Sequence, residues 1–323
     1  MLVEKLAFIK DDLGKFKKRT LEILSSGEST FNKAGKHLFQ SGGKHIRPTL
    51  VILSSKLSGY KGDKHIELAS LFELIHTATL LHDDIIDNAD KRRGVETVNE
   101  KYGNDIAILE GDFLYSRSIY LLVKNFDQDI LVLIADATQK MILGESMQVA
   151  NRWVLDLDEK DYFKIIYNKT SILISACCQV GGLLSGKDSD FIQNLKQFGD
   201  NFGIAFQLVD DTFDFHDEAK TIGKPIGADL MSGIATLPLL YTLKNFTSSE
   251  KTKIRKLFHN KSISSEDISL INSLVRKHNG LELTLQKAKE FSNKALNALN
   301  KLPKSKFRDA FESITEFLVK REF

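Results

Sequence analysis

The 323-residue chain has little of what defines several other protein classes. Its two cysteines, the adjacent Cys177 and Cys178, exclude a disulfide framework and indicate a reducing compartment. Its 45 Lys and Arg nearly balance its 43 Asp and Glu, which argues against a nucleic-acid partner. No apolar run approaches the roughly 20 residues of a membrane span. We therefore expect a cytoplasmic protein without transmembrane segments.

Only four prolines interrupt the chain, so long stretches are free to be helical. In the segment 66–82, Leu68, Leu71 and Ile75 share one face at helical spacing. Strand signals are nearly absent. We predict an all-α helical bundle with a single domain over residues 1–323. The same spacing predicts further helices over 105–125, 128–150, 160–184, 189–214 and 281–300.

Two acidic clusters, LLHDDIID and FQLVDDTFDF, lie within this apolar pattern. Like charges one helical turn apart repel, and an apolar helix face does not carry three carboxylates without compensation. Mg²⁺ takes oxygen ligands and bridges carboxylates to phosphates. One such cluster is equally compatible with a solvated helix face, but two copies in one chain favour a metal site between facing helices. The carboxylates, at i, i+1 and i+4, are Asp83, Asp84 and Asp87, then Asp210, Asp211 and Asp214.

Basic residues that suit a diphosphate accompany these clusters. Two glycines precede the first basic group and let the backbone approach an anion closely. Two arginines follow the first acidic cluster, and arginine is suited to bidentate phosphate recognition. His76 lies two helical turns before Asp83 and projects to the same side, whereas His82 is interpreted as structural. The basic candidates are Lys44, His45, Arg47, Arg92, Arg93, Lys169 and Lys224.

These residues resemble the trans-prenyltransferases, the polyprenyl diphosphate synthases. The matching stretches run in the family's order from residue 42 to residue 238. They are GGKHIRP, HTATLLHDDIIDNADKRRG, GDFL, a Lys-Thr pair, FQLVDD, and GKPIGADL followed by TLP. The resemblance implies an isoprenoid-synthase bundle around a deep central cavity, two or three Mg²⁺ ions per site and a homodimer. It also implies condensation of isopentenyl diphosphate with an allylic diphosphate.

The resemblance further implies roles for individual residues. Isopentenyl diphosphate would be bound by Lys44, Arg47, His76 and Arg93. The six aspartates would coordinate magnesium on the allylic diphosphate and, with Lys169, form the catalytic set. That diphosphate would also be held by Arg92, Lys169, Thr170, Gln207 and Lys224, with Asp229 in support. The departing diphosphate itself would accept the proton, in keeping with the absence of a Ser-His-Asp or Cys-His arrangement.

Two residues depart from the family's pattern. His45 stands where many members have Arg, and we expect little effect because Lys44 and Arg47 remain. Ile234 stands where many members have Lys before Thr-Leu-Pro, and its presence would weaken one contact to the allylic diphosphate. Activity should survive both changes.

Product length is expected to depend on the residues one turn before Asp83. Ala78 and Thr79 are small, and in the family small residues there leave the pocket for the growing chain open. One helical turn advances ~5.4 Å, similar to the reach of one isoprene unit. We predict a product of about six to nine isoprene units, a quinone side-chain precursor, with peripheral membrane contact on product release. The floor of the pocket is expected in the 128–150 helix.

Four alternatives remain open at this point. A short-chain farnesyl or geranylgeranyl diphosphate synthase would share the same motifs. An HD-type metal phosphohydrolase would use His82 and Asp83 but leaves GGKHIRP and the second acidic cluster unexplained. A non-catalytic subunit of a heteromeric synthase would usually lack intact acidic clusters. A terpene cyclase or squalene-type enzyme would lack the GGKHIRP site.

Overall fold

The computed structural model describes residues 6–25, 29–40, 42–215 and 227–319. These residues are almost wholly helical, so the all-α prediction is confirmed. The helices are α1 (Lys10–Leu24), α2 (Ser29–Gln40), α3 (Ile46–Leu57), α4 (Lys64–Ile86), α5 (Val98–Tyr102), α6 (Asn104–Asn125), α7 (Gln128–Ala150), α8 (Glu159–Ile166), α9 (Ile172–Leu184), α10 (Ser189–Phe213), α11 (Ala228–Met231), α12 (Leu237–Thr242), α13 (Ser248–Asn260), α14 (Ser265–Lys277), α15 (Gly280–Leu299) and α16 (Lys306–Val319).

The chain forms two compact units, each built from separate stretches of sequence. The first contains the described parts of Met1–Thr138, Leu173–Lys196 and Ala298–Ile314. The second contains those of Gln139–Ile172, Gln197–Asn297 and Thr315–Phe323.

Helix α4 is the centre of the first unit. It packs against α1, α3 and α6, and its apolar residues, such as Leu71 and Phe72, are fully buried. Helix α9 approaches α3 closely at Gly181. A Cβ at this position would lie only 2.3 Å from the Ser54 carbonyl carbon, so the approach depends on glycine. Close packing on several sides fixes α4 and the first turn of α3, which carry candidate site residues.

A short β-hairpin occupies the segment 90–97, between the predicted helices 66–82 and 105–125. Strand β1 (Lys91–Arg92) pairs antiparallel with β2 (Val95–Glu96). The two turn residues, Arg93 and Gly94, have φ angles of 53° and 81°. Positive φ at both turn positions matches the right-handed twist of a two-residue hairpin. Glycine at the second position adopts positive φ without steric cost. The hairpin gives Arg92 and Arg93 fixed positions.

In the second unit, a π-helical turn (Tyr167–Ser171) joins α8 to α9 within the predicted helix 160–184. A Cβ on Gly144 of α7 would lie 2.4 Å from the Lys169 backbone nitrogen, so only glycine allows this approach. Single π-helical turns inside helices are frequent at functional sites. The turn contains Lys169 and Thr170, which the sequence analysis assigns to the candidate diphosphate site.

Glu110 of α6 is a buried acid in the first unit, with a side chain that has almost no exposure to water. A Cβ on Gly35 of α2 would lie 2.4 Å from its Oε1. Within the described part of the chain, its Oε2 has no hydrogen-bond partner. Burial raises the pKa of Glu110 to about 8.

We predict that Glu110→Gln removes a pH dependence of stability. An unfolded glutamate releases its proton near pH 4.3, whereas the folded protein keeps this proton until about pH 8. Between these values the folded state holds more protons, so the free energy of unfolding falls as pH rises. In thermal melts from pH 5 to pH 9, the wild type should lose stability relative to the variant up to about pH 8 and then level off. If the stabilities of the wild type and the variant changed in parallel over this pH range, the prediction would be wrong.

Candidate active site

The first acidic cluster lies at the carboxyl end of α4. Asp83 and Asp84 are in its last turn, and Asp87 is its C-cap, with its N–H 2.8 Å from the Asp83 carbonyl oxygen. Asp83 and Asp87 are partly exposed, whereas Asp84 is buried. The carboxyl end of a helix carries partial negative charge, so carboxylates there need a cation.

Arg92 supplies such a cation for one of the three carboxylates. Its Nε donates to Asp84 Oδ1 at 2.9 Å, and its Nη2 lies 2.7 Å from the same oxygen. The Asp84 side chain is 2% exposed and that of Arg92 is 21% exposed. The hairpin therefore binds the end of α4 through a largely buried, multidentate pair.

Three of the candidates, His45, His76 and Arg93, line a small cavity of about 20 Å³ beside α4. Gly42 and Glu73 are among its other lining residues. A Cβ on Gly43 would lie 2.9 Å from Arg93 Nη1, so the glycine loop packs directly against this guanidinium. Three stretches distant in sequence thus meet at one place.

The electrostatics of this pocket keep His76 neutral. Burial, and then the charges of Arg47, Arg92 and Arg93, lower the pKa of His76 well below its usual range. A neutral imidazole still donates one hydrogen bond to an anion. Arg47 is the second residue of α3, and its Nε has no hydrogen-bond partner among the described residues. Lys44 is exposed in the preceding loop.

The second acidic cluster lies at the carboxyl end of α10 and is held by hydrogen bonds. Tyr162 donates its hydroxyl to Asp211, and Gln207 Nε2 donates to Asp211 Oδ1 at 2.7 Å. Thr170 donates to Gln207 Oε1 at 2.7 Å. Burial and then the charge of Asp229 raise the pKa of Asp211 to about 8, against the effect of these donors. The site therefore favours a nearby cation.

Two further candidates of the second unit, Asp214 and Lys169, have polar partners. Asp214 accepts a 3.2 Å hydrogen bond from the backbone N–H of Asp229. Lys169 forms a 2.6 Å ion pair with Glu145 of α7. Lys224 lies outside the described residues.

Sequence reasoning missed the polar residues Glu73, Tyr162 and Glu145, which contact candidates. Glu73 precedes His76 by one turn, and a charged residue within the apolar run ASLFELIH was an available signal. Tyr162 and Glu145 are separated in sequence from their partners Asp211 and Lys169, so no local pattern indicates them.

Comparison with known proteins decides the family. The model of the polyprenyl synthetase family matches residues 28–275. Octaprenyl diphosphate synthase of Escherichia coli (strain K12) is 35% identical over 94% of this chain and 93% of that protein. Heptaprenyl diphosphate synthase component 2 of Bacillus subtilis (strain 168) is 32% identical over 98% of this chain and 90% of that protein. The chain belongs to the polyprenyl synthetase family.

A solved structure agrees with this membership. The polyprenyl synthase of Caulobacter crescentus CB15, crystallised with calcium and isoprenyl diphosphate, has a TM-score of 0.96 at 30% identity. The alignment covers 99% of this chain and 98% of that one. As a member of the polyprenyl synthetase family, the chain is a prenyltransferase with the isoprenoid-synthase fold.

The donor set is suited to magnesium, on which the polyprenyl synthetase family depends in general. Carboxylate oxygens are the hard ligands that Mg²⁺ prefers, and Mg²⁺ usually takes one or two carboxylates together with phosphate oxygens and water. Within residues 6–25, 29–40, 42–215 and 227–319, no three or more His, Cys, Asp and Glu side chains are grouped so that they could hold a metal ion.

We predict that Arg92→Ala destabilises the prenyltransferase by about 3 kcal/mol, because it leaves the buried Asp84 carboxylate unpaired. The double variant Arg92→Ala, Asp84→Ala should recover part of this loss, because no unpaired charge remains. The measurement is urea unfolding followed by circular dichroism.

The control is Arg255→Ala, which removes an exposed ion pair with Asp156 at 3.3 Å. That change should cost less than about 1 kcal/mol. Equal losses for Arg92→Ala and Arg255→Ala would contradict the importance of the buried pair.

Proposed function

We propose that the chain is a long-chain, all-trans polyprenyl diphosphate synthase that condenses isopentenyl diphosphate onto an allylic diphosphate. The observation that carries the proposal is the pocket beside α4. There a neutral His76, Arg93 and the loop that leads to Arg47 surround one cavity, close to the aspartates at the helix end. Arginine and imidazole donors grouped in this way suit a polyanion held next to a second, metal-bound polyanion. Relatives named as octaprenyl and heptaprenyl synthases support a long product.

Each group has a definite task in this proposal. Lys44, Arg47, His76 and Arg93 bind and orient isopentenyl diphosphate. The six aspartates would hold magnesium, which would supply positive charge to stabilise the diphosphate as it leaves the allylic carbon. The double bond of isopentenyl diphosphate then attacks that carbon, and the released diphosphate accepts the proton. Arg92, Lys169, Thr170, Gln207 and Lys224 bind the allylic diphosphate.

Product length is assigned to the α4 residues that precede the acidic cluster. Ala78 is buried, and the Thr79 hydroxyl donates to the His76 carbonyl oxygen at 2.8 Å. This hydroxyl is therefore satisfied within its own helix and does not need another polar partner. Two small side chains without an unmet polar group agree with an apolar path for the growing product.

We predict that the purified chain, given farnesyl diphosphate, isopentenyl diphosphate and Mg²⁺, makes products of about six to nine isoprene units. Reverse-phase chromatography after phosphatase treatment measures their length. Ala78→Phe should shorten the products by filling the path, whereas Ala78→Ser should leave their length unchanged. Chelation of Mg²⁺ should abolish synthesis.

Two outcomes would contradict parts of this proposal. Products limited to farnesyl or geranylgeranyl diphosphate would indicate a short-chain synthase. No product from the purified chain would favour a two-component enzyme, because one relative is named as a component of heptaprenyl diphosphate synthase.

A homodimer is part of the proposal and is supported by an apolar stripe on α6. Leu109, Tyr120 and Val123 are 52%, 54% and 62% exposed, and their spacing places them on one side of the helix. Exposed apolar patches of this kind mark protein interfaces. We assign this stripe to contact with a second copy of the chain.

Val123→Glu should therefore give a monomer, because a charge at the interface is costly to bury. Light scattering after size-exclusion chromatography should give twice the chain mass of 36.4 kDa for the wild type. Met231→Glu alters a 43% exposed apolar residue on α11 and should stay dimeric. A wild-type monomer would contradict the assignment.

The finer parts of the proposal concern the setting of the enzyme. No helix among the described residues has the length and apolar character to cross a membrane. We propose a cytoplasmic enzyme with one polyprenyl synthetase domain over residues 1–323 and two or three Mg²⁺ ions per site. It would touch the membrane peripherally to release a quinone side-chain precursor.

A further inference from the structure

One acidic side chain lies in the pocket proposed for isopentenyl diphosphate. Glu73 of α4 is 12% exposed and lines the small cavity together with His45, His76 and Arg93. A carboxylate repels a diphosphate, so its presence in an anion pocket requires a compensating benefit. The contacts of Glu73 indicate what that benefit is.

His45 holds the Glu73 carboxylate. Its Nδ1 lies 2.9 Å from Glu73 Oε1, and its side chain is 15% exposed. The imidazole ring also packs against Phe16 and Phe39, with ring centroids 5.4 Å and 5.6 Å away. Partial exclusion of water strengthens a hydrogen bond to a carboxylate. The Glu73 carboxylate is therefore held in one orientation.

The backbone of His45 adds a second constraint. His45 has φ 44° and ψ 43°, a left-handed conformation that is uncommon outside glycine. Its carbonyl oxygen accepts hydrogen bonds from both the N–H and the hydroxyl of Thr49, at 3.1 Å and 2.8 Å. A residue kept in such a conformation is held by its surroundings. Those contacts set the path of the chain into α3, where Arg47 is the second residue.

Glu73 is also the counter-charge of Arg47 and Arg93. Burial lowers the pKa of Arg47, and the Glu73 carboxylate acts against this effect. Burial, followed by repulsion from Arg92, lowers the pKa of Arg93, and Glu73 again acts in the opposite direction. Several cations close together repel one another, and a central carboxylate reduces that repulsion.

We propose that His45 and Glu73 are a positioning pair for the isopentenyl diphosphate site. Glu73 keeps Arg47 and Arg93 gathered before the substrate arrives, and His45 keeps Glu73 in place. This inference rests on the function proposed above. Both residues act through the arginines rather than on the reacting atoms.

Glu73→Gln tests the proposal, because it preserves size and a hydrogen-bond acceptor for His45 but removes the charge. Simple repulsion predicts that this variant binds isopentenyl diphosphate more tightly. Positioning predicts a KM for isopentenyl diphosphate about tenfold higher, with kcat and the KM for farnesyl diphosphate changed by less than about twofold. Steady-state kinetics with each substrate varied in turn measure these values. An unchanged or lower KM for isopentenyl diphosphate would overturn the proposal.

A second variant tests whether His45 acts through Glu73. His45→Asn suits the left-handed backbone but loses the ring, and it should raise the KM for isopentenyl diphosphate about threefold. In the double variant with Glu73→Gln, no further rise is expected, because the two residues form one unit. Independent, multiplying effects would overturn the pairing. If Glu73→Gln does not fold, the KM of His45→Asn for isopentenyl diphosphate tests the proposal by itself. An unchanged value would overturn the proposal.

Glu67→Gln is the matched control on the same helix. Glu67 pairs with Arg19 at 2.7 Å, away from the residues that line the pocket. The variant should lower the melting temperature without changing the KM for isopentenyl diphosphate. A similar rise in KM would show a general effect of destabilising α4 and would overturn the proposal. Failure of the wild type to make product would instead contradict the proposed function itself.

Discussion

Negative charge at the carboxyl ends of two long helices is the constraint on which the rest of this structure depends. The last turn of α4 contains Asp83 and Asp84, and the last turn of α10 contains Asp210 and Asp211. Each helix end already carries partial negative charge, so carboxylates there are unfavourable without cations or hydrogen-bond donors. Arg92 meets part of this need at Asp84. The same requirement makes both ends suitable for magnesium and diphosphate.

Packing keeps these charged ends in position. Helix α4 is apolar on nearly all sides and is enclosed by α1, α3 and α6, so its end is fixed by a core rather than by a loop. Glycines allow other backbones to approach closely, as Gly181 does at Ser54 and Gly144 does at Lys169. Burial of apolar side chains thus stabilises a fold in which carboxylates that repel one another lie close together.

Local sequence predicted the helices well, because each apolar face repeats at helical spacing over many residues. The predicted helix over 189–214 corresponds to α10, and that over 128–150 to α7. Where a few residues decide the backbone, prediction failed. The β-hairpin at Lys91–Glu96 depends on positive φ at Arg93 and Gly94, and the π-helical turn interrupts an otherwise helical pattern. Neither feature changes the spacing of apolar residues along the sequence, so periodicity does not reveal it.

Periodicity and motifs of adjacent residues were enough to predict the helical class, the two acidic clusters and the family. Which groups meet became known only from the folded chain. It paired Arg92 with Asp84, Tyr162 with Asp211 and Lys169 with Glu145. It also placed Glu73 among cations that come from other stretches of the chain. Such pairings depend on how helices distant in sequence pack, and one-dimensional spacing does not contain that information.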